Sequence, residues 1–299
     1  MKAIIVANPV AGPAWQRLRQ DRTSVWLHDL LDRHAADIRM WFTEGPAHAP
    51  ELARRAVDDG ADVVIAWGGD GTVNEVASAL IQSRVSLGIV PVGSGNGLAR
   101  ELGIPSRSDE ALRVALSGAD RLIDLGELND RVFFNCSGIG FDAHVAHVFA
   151  ASAGRVRGFM SYAAVAVREG LRYECGSYRV EAEGLPGAEF RAFLVTVANT
   201  RQWGNGALIA PNARMDDDRL DMVVIPESSP LSLVANAWRL FAGSMADWPG
   251  VRMHQVRAAT ITATPPAPVH IDGEPIGRLS TVEVRVRPAA LRVRVPITQ

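Results

Sequence analysis

The chain has 299 residues, 47% of them apolar and 21% charged, with a formal net charge of −2. That length allows two domains with real hydrophobic cores, and the slight acid excess argues against a general nucleic-acid binder, which needs a basic surface. Cys136 and Cys175 are the only cysteines, which excludes a disulfide framework and a cysteine-based metal site.

Lys2 to Ala7 reads as a buried strand, too short for a signal h-region and running straight into the turn Asn8-Pro9-Val10-Ala11-Gly12-Pro13. Trp15 to Ala36 has helical spacing, and a short strand, Ile38 to Thr43, leads into Glu44-Gly45-Pro46. A helix from about His48 to Asp59 follows, then a strand from Asp62 to Trp67, the turn Gly68-Gly69-Asp70-Gly71-Thr72, and a helix from Val73 to Ile81. Leu87 to Pro91 is a strand ending in Val92-Gly93-Ser94-Gly95-Asn96-Gly97, with a short helix from Leu98 to Leu102 stopped by Gly103 and Pro105. Repeated strand-then-helix units imply a parallel sheet covered on both faces, with ligands beyond the carboxyl ends of the strands. All three glycine turns fall there.

After a helix from Asp109 to Leu116 the pattern changes. Leu122 to Leu128 and Val132 to Cys136 read as strands around the hairpin turn Asn129-Asp130, and a single helical stretch runs from about Ala143 to Arg172. Alternating segments follow: Tyr178 to Glu183, Phe190 to Ala198, Leu220 to Ile225, Ala258 to Thr264, Val282 to Val286 and Leu291 to Val295, interrupted by a helix from Leu231 to Met245. The expected fold is α/β plus β. An N-terminal parallel three-layer α/β nucleotide domain covers residues 1–125. A C-terminal antiparallel β-sandwich domain with helices covers 126–299, with the last strand able to pack back on the first domain. No apolar run reaches the ~18 residues of a membrane span, so the protein is expected in the cytoplasm.

The turn from Gly68 to Glu75 carries the clearest chemistry. Strand, glycine turn and helix offer backbone N–H groups to a phosphate, yet no Gly-x-x-x-x-Gly-Lys-Ser/Thr loop occurs in the chain. A capping box would explain Thr72 and Glu75 by itself. It leaves Asp70 unexplained, and an acid beside a phosphate cradle can meet Mg²⁺ or take a proton from a hydroxyl.

Gly68-Gly69-Asp70-Gly71-Thr72 with Asn74-Glu75 resembles the nucleotide loop of the diacylglycerol kinase catalytic-domain family, which includes sphingosine, ceramide and bacterial lipid kinases. NAD kinases and phosphofructokinases carry similar loops, so the surrounding motifs decide. Asn8 to Gly12 is similar to the family's first loop, and Pro91 to Arg100 to its second glycine turn. Asn135 to Ala143 resembles its domain-crossing segment, Pro211 to Val224 its metal-loop strand, and Ile271-Asp272-Gly273-Glu274 its C-terminal acid motif. The matches come in family order and span nearly the whole chain.

The resemblance implies an ATP- and Mg²⁺-dependent kinase of a lipid hydroxyl. Asn8, Pro9, Val10, Ala11, Gly12, Thr43, Gly68, Gly69, Asp70, Gly71, Thr72, Val73 and Asn74 would line the ATP site, with Gly93, Ser94 and Asn96 from the second turn and Glu75 close behind. Ordinary turn and N-cap roles explain Asn8-Pro9 and Ser94-Gly95-Asn96 equally well taken singly. Asp70, Asp272 and Glu274 would be the catalytic acids, the last two across the family's cleft. Asp272 and Glu274 would point the same way on a strand, but Gly273 between them fits a surface turn instead. Asp142 would meet the lipid head group or act as the N-cap of the following helix. A structural Mg²⁺ would bind the Arg214 carbonyl, the Asp217 side chain and the Arg219 carbonyl, although Asp216-Asp217-Asp218 also reads as a solvated charge run. This sequence has Asp218 where the family usually has glycine, and Gly97 where many members have aspartate.

On the lipid side, Val145, Val148, Phe149, Phe159, Met160, Tyr162 and Val165 form an apolar stripe with Arg155, Arg157, Arg168 and Arg172 interspersed. The stripe fits a lipid pocket or plain core. Leu231 to Met245, with Trp238, Leu240 and Phe241, is a second candidate for pocket or membrane edge. The expected partner is a lipid substrate at the membrane surface, met by transient peripheral contact and without nucleic acid. A homodimer is compatible with the sequence, which carries no signal for oligomeric state. A kinase of a soluble acceptor such as NAD, or a non-catalytic nucleotide- or lipid-binding regulator, are the alternatives. Asn74-Glu75 and the Asp-Gly-Glu motif count against the first, and the retained acids against the second.

Overall fold

A computed structural model of the chain describes residues 1–9, 37–151, 159–204 and 206–297. The helix expected over Trp15 to Ala36 lies outside the described residues. The chain divides into two compact units, Met1–Ile123 with Ala289–Gln299, and Asp124–Pro288.

In the first unit, β1 (Lys2–Ala7), β2 (Asp37–Phe42), β3 (Val63–Gly68) and β4 (Ser86–Pro91) form parallel ladders in the order β4-β3-β1-β2. β3 and β4 are buried along their whole length, as strands covered on both faces must be, which is why they read as unbroken apolar runs. The helices α1 (Ala49–Asp58), α2 (Asp70–Ala79), α3 (Gly97–Glu101) and α4 (Ser108–Ser117) follow these strands. α1 packs on α2 and buries Leu52, Ala53 and Ala56, and α4 packs on β4 and buries Ala111, Leu112 and Ala115. The chain's last strand returns here. Val293 pairs in parallel with Leu87, the Arg294 guanidinium donates to the Gly118 carbonyl at 2.7 Å, and its Nε lies 3.2 Å from Asp120.

The second unit is antiparallel. Its strands are the later part of β5 (Ala119–Leu128), β6 (Arg131–Phe133), β7 (Cys136–Gly140), β8 (Gly176–Ala182), β9 (Leu185–Ala198), β12 (Leu220–Pro226), β13 (Arg252–Val256), β14 (Ala258–Ile271) and the earlier part of β15 (Glu274–Val295). A short hairpin, β10 (Gln202–Gly204) with β11 (Ala207–Leu208), has no signal in the sequence strong enough to predict it. The long strands β9 and β14 each change partner along their length. Near one end both pair with β8, and near the other both pair with β7. A register shift between Thr262 and Ala267 accompanies the change in β14, as bulges do where strands bend. The enclosed core includes Tyr178, Val195, Val197, Met222, Ile261 and Val282.

Several expected boundaries move. The strand predicted over Val132 to Cys136 is two strands, because the peptides from Phe134 to Cys136 turn to bond Asp272 (below). β14 runs on past Thr264 despite Pro265 and Pro266, and Val282 to Val286 and Leu291 to Val295 are one strand. The helix predicted over Leu231 to Met245 is α7 (Pro230–Asn236), α8 (Arg239–Ala242) and a 3₁₀ turn, Met245–Asp247. Gly243, at φ +66°, ends α8. The stretch predicted as one helix from Ala143 to Arg172 contains α5 (Phe141–Ala151) and α6 (Phe159–Gly170), and residues 152–158 lie outside the described residues.

Candidate functional site

In the first unit four loops leave the carboxyl ends of adjacent strands, the edge where open α/β sheets bind ligands. Those after β1, β2 and β4 start by prolonging a ladder. The Asn8 N–H donates to the Trp67 carbonyl at 3.0 Å, Thr43 N–H to Ala7 at 2.9 Å, and Val92 N–H to Gly68 at 3.0 Å. The Asn8 side-chain amide then donates to the Thr72 hydroxyl at 3.2 Å.

The capping box is not formed. α2 starts at Asp70 with Gly69 as N-cap and no side-chain cap, so Thr72 already lies inside the first turn. Its hydroxyl serves Asn8, and Glu75 Oε1 accepts the Ala47 N–H at 3.3 Å. Asp70 reaches the other way. Its Oδ2 accepts Asn96 N–H at 2.7 Å and its Oδ1 accepts Gly97 N–H at 2.6 Å, so it holds the start of α3. Asn96, at φ +54°, in turn accepts Gly93 N–H at 3.0 Å and donates to the Gly93 carbonyl at 2.8 Å. A Cβ on Gly93 would stand 2.8 Å from Gly69 Cα, so the two turns meet backbone to backbone. The acid in the glycine turn thus staples one turn to the next. Asp70→Asn puts an NH₂ against one of these N–H donors and is expected to cost about 2 kcal/mol. An unchanged urea midpoint contradicts this.

The structure therefore brings Asn8, Gly68, Gly69, Asp70, Thr72, Gly93 and Asn96 together. Thr43 is buried beside Ala7, Val73 is buried within α2, and Asn74 is half-buried. Pro9, Gly71 and Ser94 are exposed. Val10, Ala11 and Gly12 lie outside the described residues.

The second unit holds a network that the sequence shows only in part. Gly138 of β7 pairs with Thr196 of β9 on one side and with His270 of β14 on the other, so the three share one row of the sheet. The Asp142 carboxylate, from the first turn of α5, fills the space that Gly138 leaves. Its Oδ2 accepts the Thr196 hydroxyl at 2.8 Å and lies 3.3 Å from His270 Nε2. A Cβ on Gly138 would be 1.8 Å from that oxygen. Asp142 is 6% exposed and its Oδ1 accepts the Ala143 N–H at 2.8 Å, so it sits within α5 and does not cap it from outside.

His270 connects this carboxylate to the predicted acid motif. Its Nδ1 accepts the Gly273 N–H at 3.1 Å, which leaves the ring proton on Nε2, directed at Asp142. Asp272 and Gly273 are the two residues between β14 and β15, with φ +47° and +84°, the positive pair of a type I′ hairpin. The two acids therefore do not share a strand face. Asp272 turns back and accepts the N–H groups of Phe134 at 2.9 Å, Asn135 at 2.8 Å and Cys136 at 3.0 Å. Burial pushes its carboxyl above the ordinary carboxylate value, opposed by those three N–H groups. Glu274, at the start of β15, is exposed. Thr196 and His270 are absent from the sequence-predicted set. Their signal is there only in retrospect, His270 lying two residues before Asp272 on an alternating strand.

The predicted metal loop is a tight turn. Asp218 adopts φ +59°, the left-handed conformation usual for glycine, and its N–H donates to buried Asp124 at 2.8 Å. Asp217 accepts Arg219 N–H and Gln255 Nε2, each at 3.2 Å, while Arg214 pairs with Asp216 at 3.4 Å. Asp221 Oδ2 is buried without a hydrogen-bond partner, and burial, with the like charge of Asp217, pushes that carboxyl up to about 6. Among the described residues no group of three or more His, Cys, Asp or Glu is placed to hold a metal.

In the apolar stripe Val145 is core, and Val148, Phe149 and Val165 are half-buried. Arg168 and Arg172 are exposed. Arg155 and Arg157 lie outside the described residues, and so do the side chains of Phe159, Met160 and Tyr162. Among the described residues no helix is long and apolar enough to cross a membrane.

Residues 2–128 match the diacylglycerol kinase catalytic domain, and residues 136–295 match the YegS C-terminal NAD kinase beta sandwich-like domain. The probable lipid kinase YegS-like of Chromohalobacter salexigens is 33% identical over 230 residues, spanning 75% of this chain and 73% of the relative. A diacylglycerol kinase of Mycobacterium tuberculosis is 31% identical over 262 residues, spanning 84% and 83%. The crystal structure of a diacylglycerol kinase from Bacillus anthracis aligns with a TM-score of 0.72 at 20% identity, covering 98% of this chain and 96% of that one, a likeness of fold. Two domain matches in order and relatives above 30% identity agree with the motifs: the chain belongs to the diacylglycerol kinase catalytic-domain family, among the YegS-like lipid kinases.

Proposed function

We propose that the protein transfers the γ-phosphate of ATP to a hydroxyl of diacylglycerol or a related lipid alcohol, such as a sphingoid base or ceramide. The observation that carries the nucleotide half is the joined set of loops in the first unit. The first N–H groups of α2 have no intrahelical partners, and the space around Gly71 is open. That turn suits an anionic phosphate. Asn8 and Thr72 flank it, and Asp70 keeps the Gly93–Asn96 turn in place so that the loops act as one cradle.

In this reading the two acids of the C-terminal motif divide the work. Asp272 is a positioning residue, its carboxylate committed to three backbone N–H groups. Glu274 carries no such commitment and takes the proton of the attacking hydroxyl. His270 and Asp142 fix the hairpin between them, and a lone pair left on Asp142 is available to the lipid's polar end. A divalent cation would neutralise charge on the phosphates. A structural Mg²⁺ on Asp217 and the carbonyls of Arg214 and Arg219 also fits what the turn offers. Its donors are hard oxygens, and the orphaned oxygen of Asp221 is what a neighbouring cation relieves.

A test incubates purified protein with Mg²⁺ and γ-labelled ATP, and offers diacylglycerol, sphingosine, ceramide and monoacylglycerol in vesicles, with NAD in a separate arm. Label is expected in a lipid. Label in NAD alone, or ATP binding with no transfer to any lipid, overturns the reading.

A further inference from the structure

α7 and α8 present two unlike faces. Leu233 and Leu240 turn inward onto a core cluster that includes Phe193, Leu194, Val223, Ile225 and Trp248. Leu231, Val234, Trp238 and Phe241 turn outward, with 83, 59, 56 and 52% of their surface exposed. Ala237 and Trp238, between the two helices, keep right-handed helical φ/ψ, so a spacing of three, four and three residues leaves all four on one side. Single exposed apolar residues need no explanation, but four large ones in a row mark a surface that something covers.

Charge narrows the choice of what covers it. From Ser228 to Ala246 the chain holds no acid, and its one charged residue is Arg239. The Arg239 guanidinium lies 5.0 Å from the centroid of the Trp238 ring and is held by Asn236 Oδ1 at 2.9 Å. The acid just before this stretch, Glu227, is neutralised by Arg191 through contacts of 2.7 and 2.9 Å. An aliphatic and aromatic face without acids, carrying a tryptophan beside a guanidinium, has the chemistry of a helix lying in the plane of a membrane interface. There the ring sits at headgroup level and the cation meets lipid phosphate. Both helices are far too short to span a bilayer, so the contact is a shallow one. A second apolar and basic group in the same unit, Val167 and Leu171 beside Arg172, ends α6, and Tyr173 just beyond it packs on the same core cluster as Leu233 and Leu240.

We infer that the outer face of α7 and α8 is a membrane-docking surface, which inserts Leu231, Val234, Trp238 and Phe241 into the interfacial layer of an anionic bilayer. The inference rests on the lipid-kinase reading only for the choice of a bilayer as occupant, since a lipid acceptor resides there.

The test is co-sedimentation of the full chain with phosphatidylcholine vesicles, with and without phosphatidylglycerol, in the absence of ATP, so that kinase activity plays no part. Wild type is expected to partition onto the anionic vesicles. Trp238→Ser and Phe241→Ser are each expected to weaken partitioning roughly tenfold, the equivalent of burying one large apolar side chain. Leu231→Ser, at the most exposed of the four positions, gives the same readout with the least risk to folding, which circular dichroism checks. Equal binding by wild type and all three variants overturns the inference. So does a failure of wild type to bind, and so does a lipid-free homodimer that these substitutions dissociate, which would make a second copy the occupant. Transfer of phosphate to detergent-dispersed lipid by a variant that no longer binds vesicles leaves the kinase reading standing and locates the docking surface.

Discussion

Gly138→Ala is expected to cost the second unit about 3 kcal/mol of stability and to abolish phosphorylation of lipid. The new methyl carbon would lie 1.8 Å from Asp142 Oδ2 and 2.6 Å from His270 Nε2, well inside contact distance. β7 cannot retreat, because Gly138 is paired with Thr196 on one side and with His270 on the other. The Asp142 carboxylate must therefore leave its place and lose the Thr196 hydroxyl and the His270 ring proton together, and a displaced buried carboxylate is costlier than either bond. Gly71→Ala serves as the control. Nothing lies within 4 Å of a Cβ there, and a change within about 0.5 kcal/mol is expected. The clash is specific, so Asp142→Ala is expected to cost much less in the Gly138→Ala background than in wild type. Additive urea midpoints in that double-mutant cycle contradict the packing described for this row.

The second large effect concerns Asp272. Asp272→Ala removes the acceptor of three backbone N–H groups and is expected to cost about 4 kcal/mol. Asp272→Asn keeps one oxygen for Asn135 and Cys136 and tolerates the left-handed φ, but sets an NH₂ against Phe134 N–H, for an expected cost of about 2 kcal/mol. Glu274→Gln, on an exposed side chain, is expected to change stability by less than about 0.5 kcal/mol. The pH dependence has a definite sign. Burial holds the folded-state carboxyl of Asp272 above its ordinary value. Its contribution is then complete below the unfolded-state value, near 4, and declines as pH rises through the higher folded value. The stability gap between wild type and Asp272→Asn should therefore widen on acidification. Urea midpoints at several pH values check this, and a gap that narrows toward acid contradicts the assignment.

These residues also show what a sequence can and cannot disclose. The strands β1, β3 and β4 and their glycine turns are legible because a doubly covered parallel strand is an unbroken apolar run, and because backbone approach demands glycine. The Asn129-Asp130 hairpin is legible from turn chemistry alone, and both residues take positive φ. The roles of the acids are not legible. Asp70 looks like a free acid in a phosphate loop, yet its partners, Asn96 and Gly97, are set by the meeting of two turns from different strands. Thr72 and Glu75 spell a capping box, but a helix starting at Asp70 assigns them to Asn8 and Ala47. His270 and Thr196 matter because of register. Both pair with Gly138, and no local pattern states which residues of β9 and β14 share a row with it. The helix predicted over Leu231 to Met245 fails at Gly243 and at the break between α7 and α8, and the apolar residues singled out there divide between the two faces, Trp238 and Phe241 outward and Leu240 onto the core.

The proposed transfer of a proton from a lipid hydroxyl to Glu274 is tested most directly by single-turnover transfer of labelled phosphate from ATP to whichever lipid of the panel is labelled fastest. Wild type, Glu274→Gln and Asp272→Asn are compared at saturating ATP, with the urea midpoint of each measured alongside. Loss of a general base predicts that Glu274→Gln lowers the transfer rate by about 10²-fold or more while its midpoint stays at the wild-type value. A Glu274→Gln protein that transfers phosphate to lipid at the wild-type rate contradicts it.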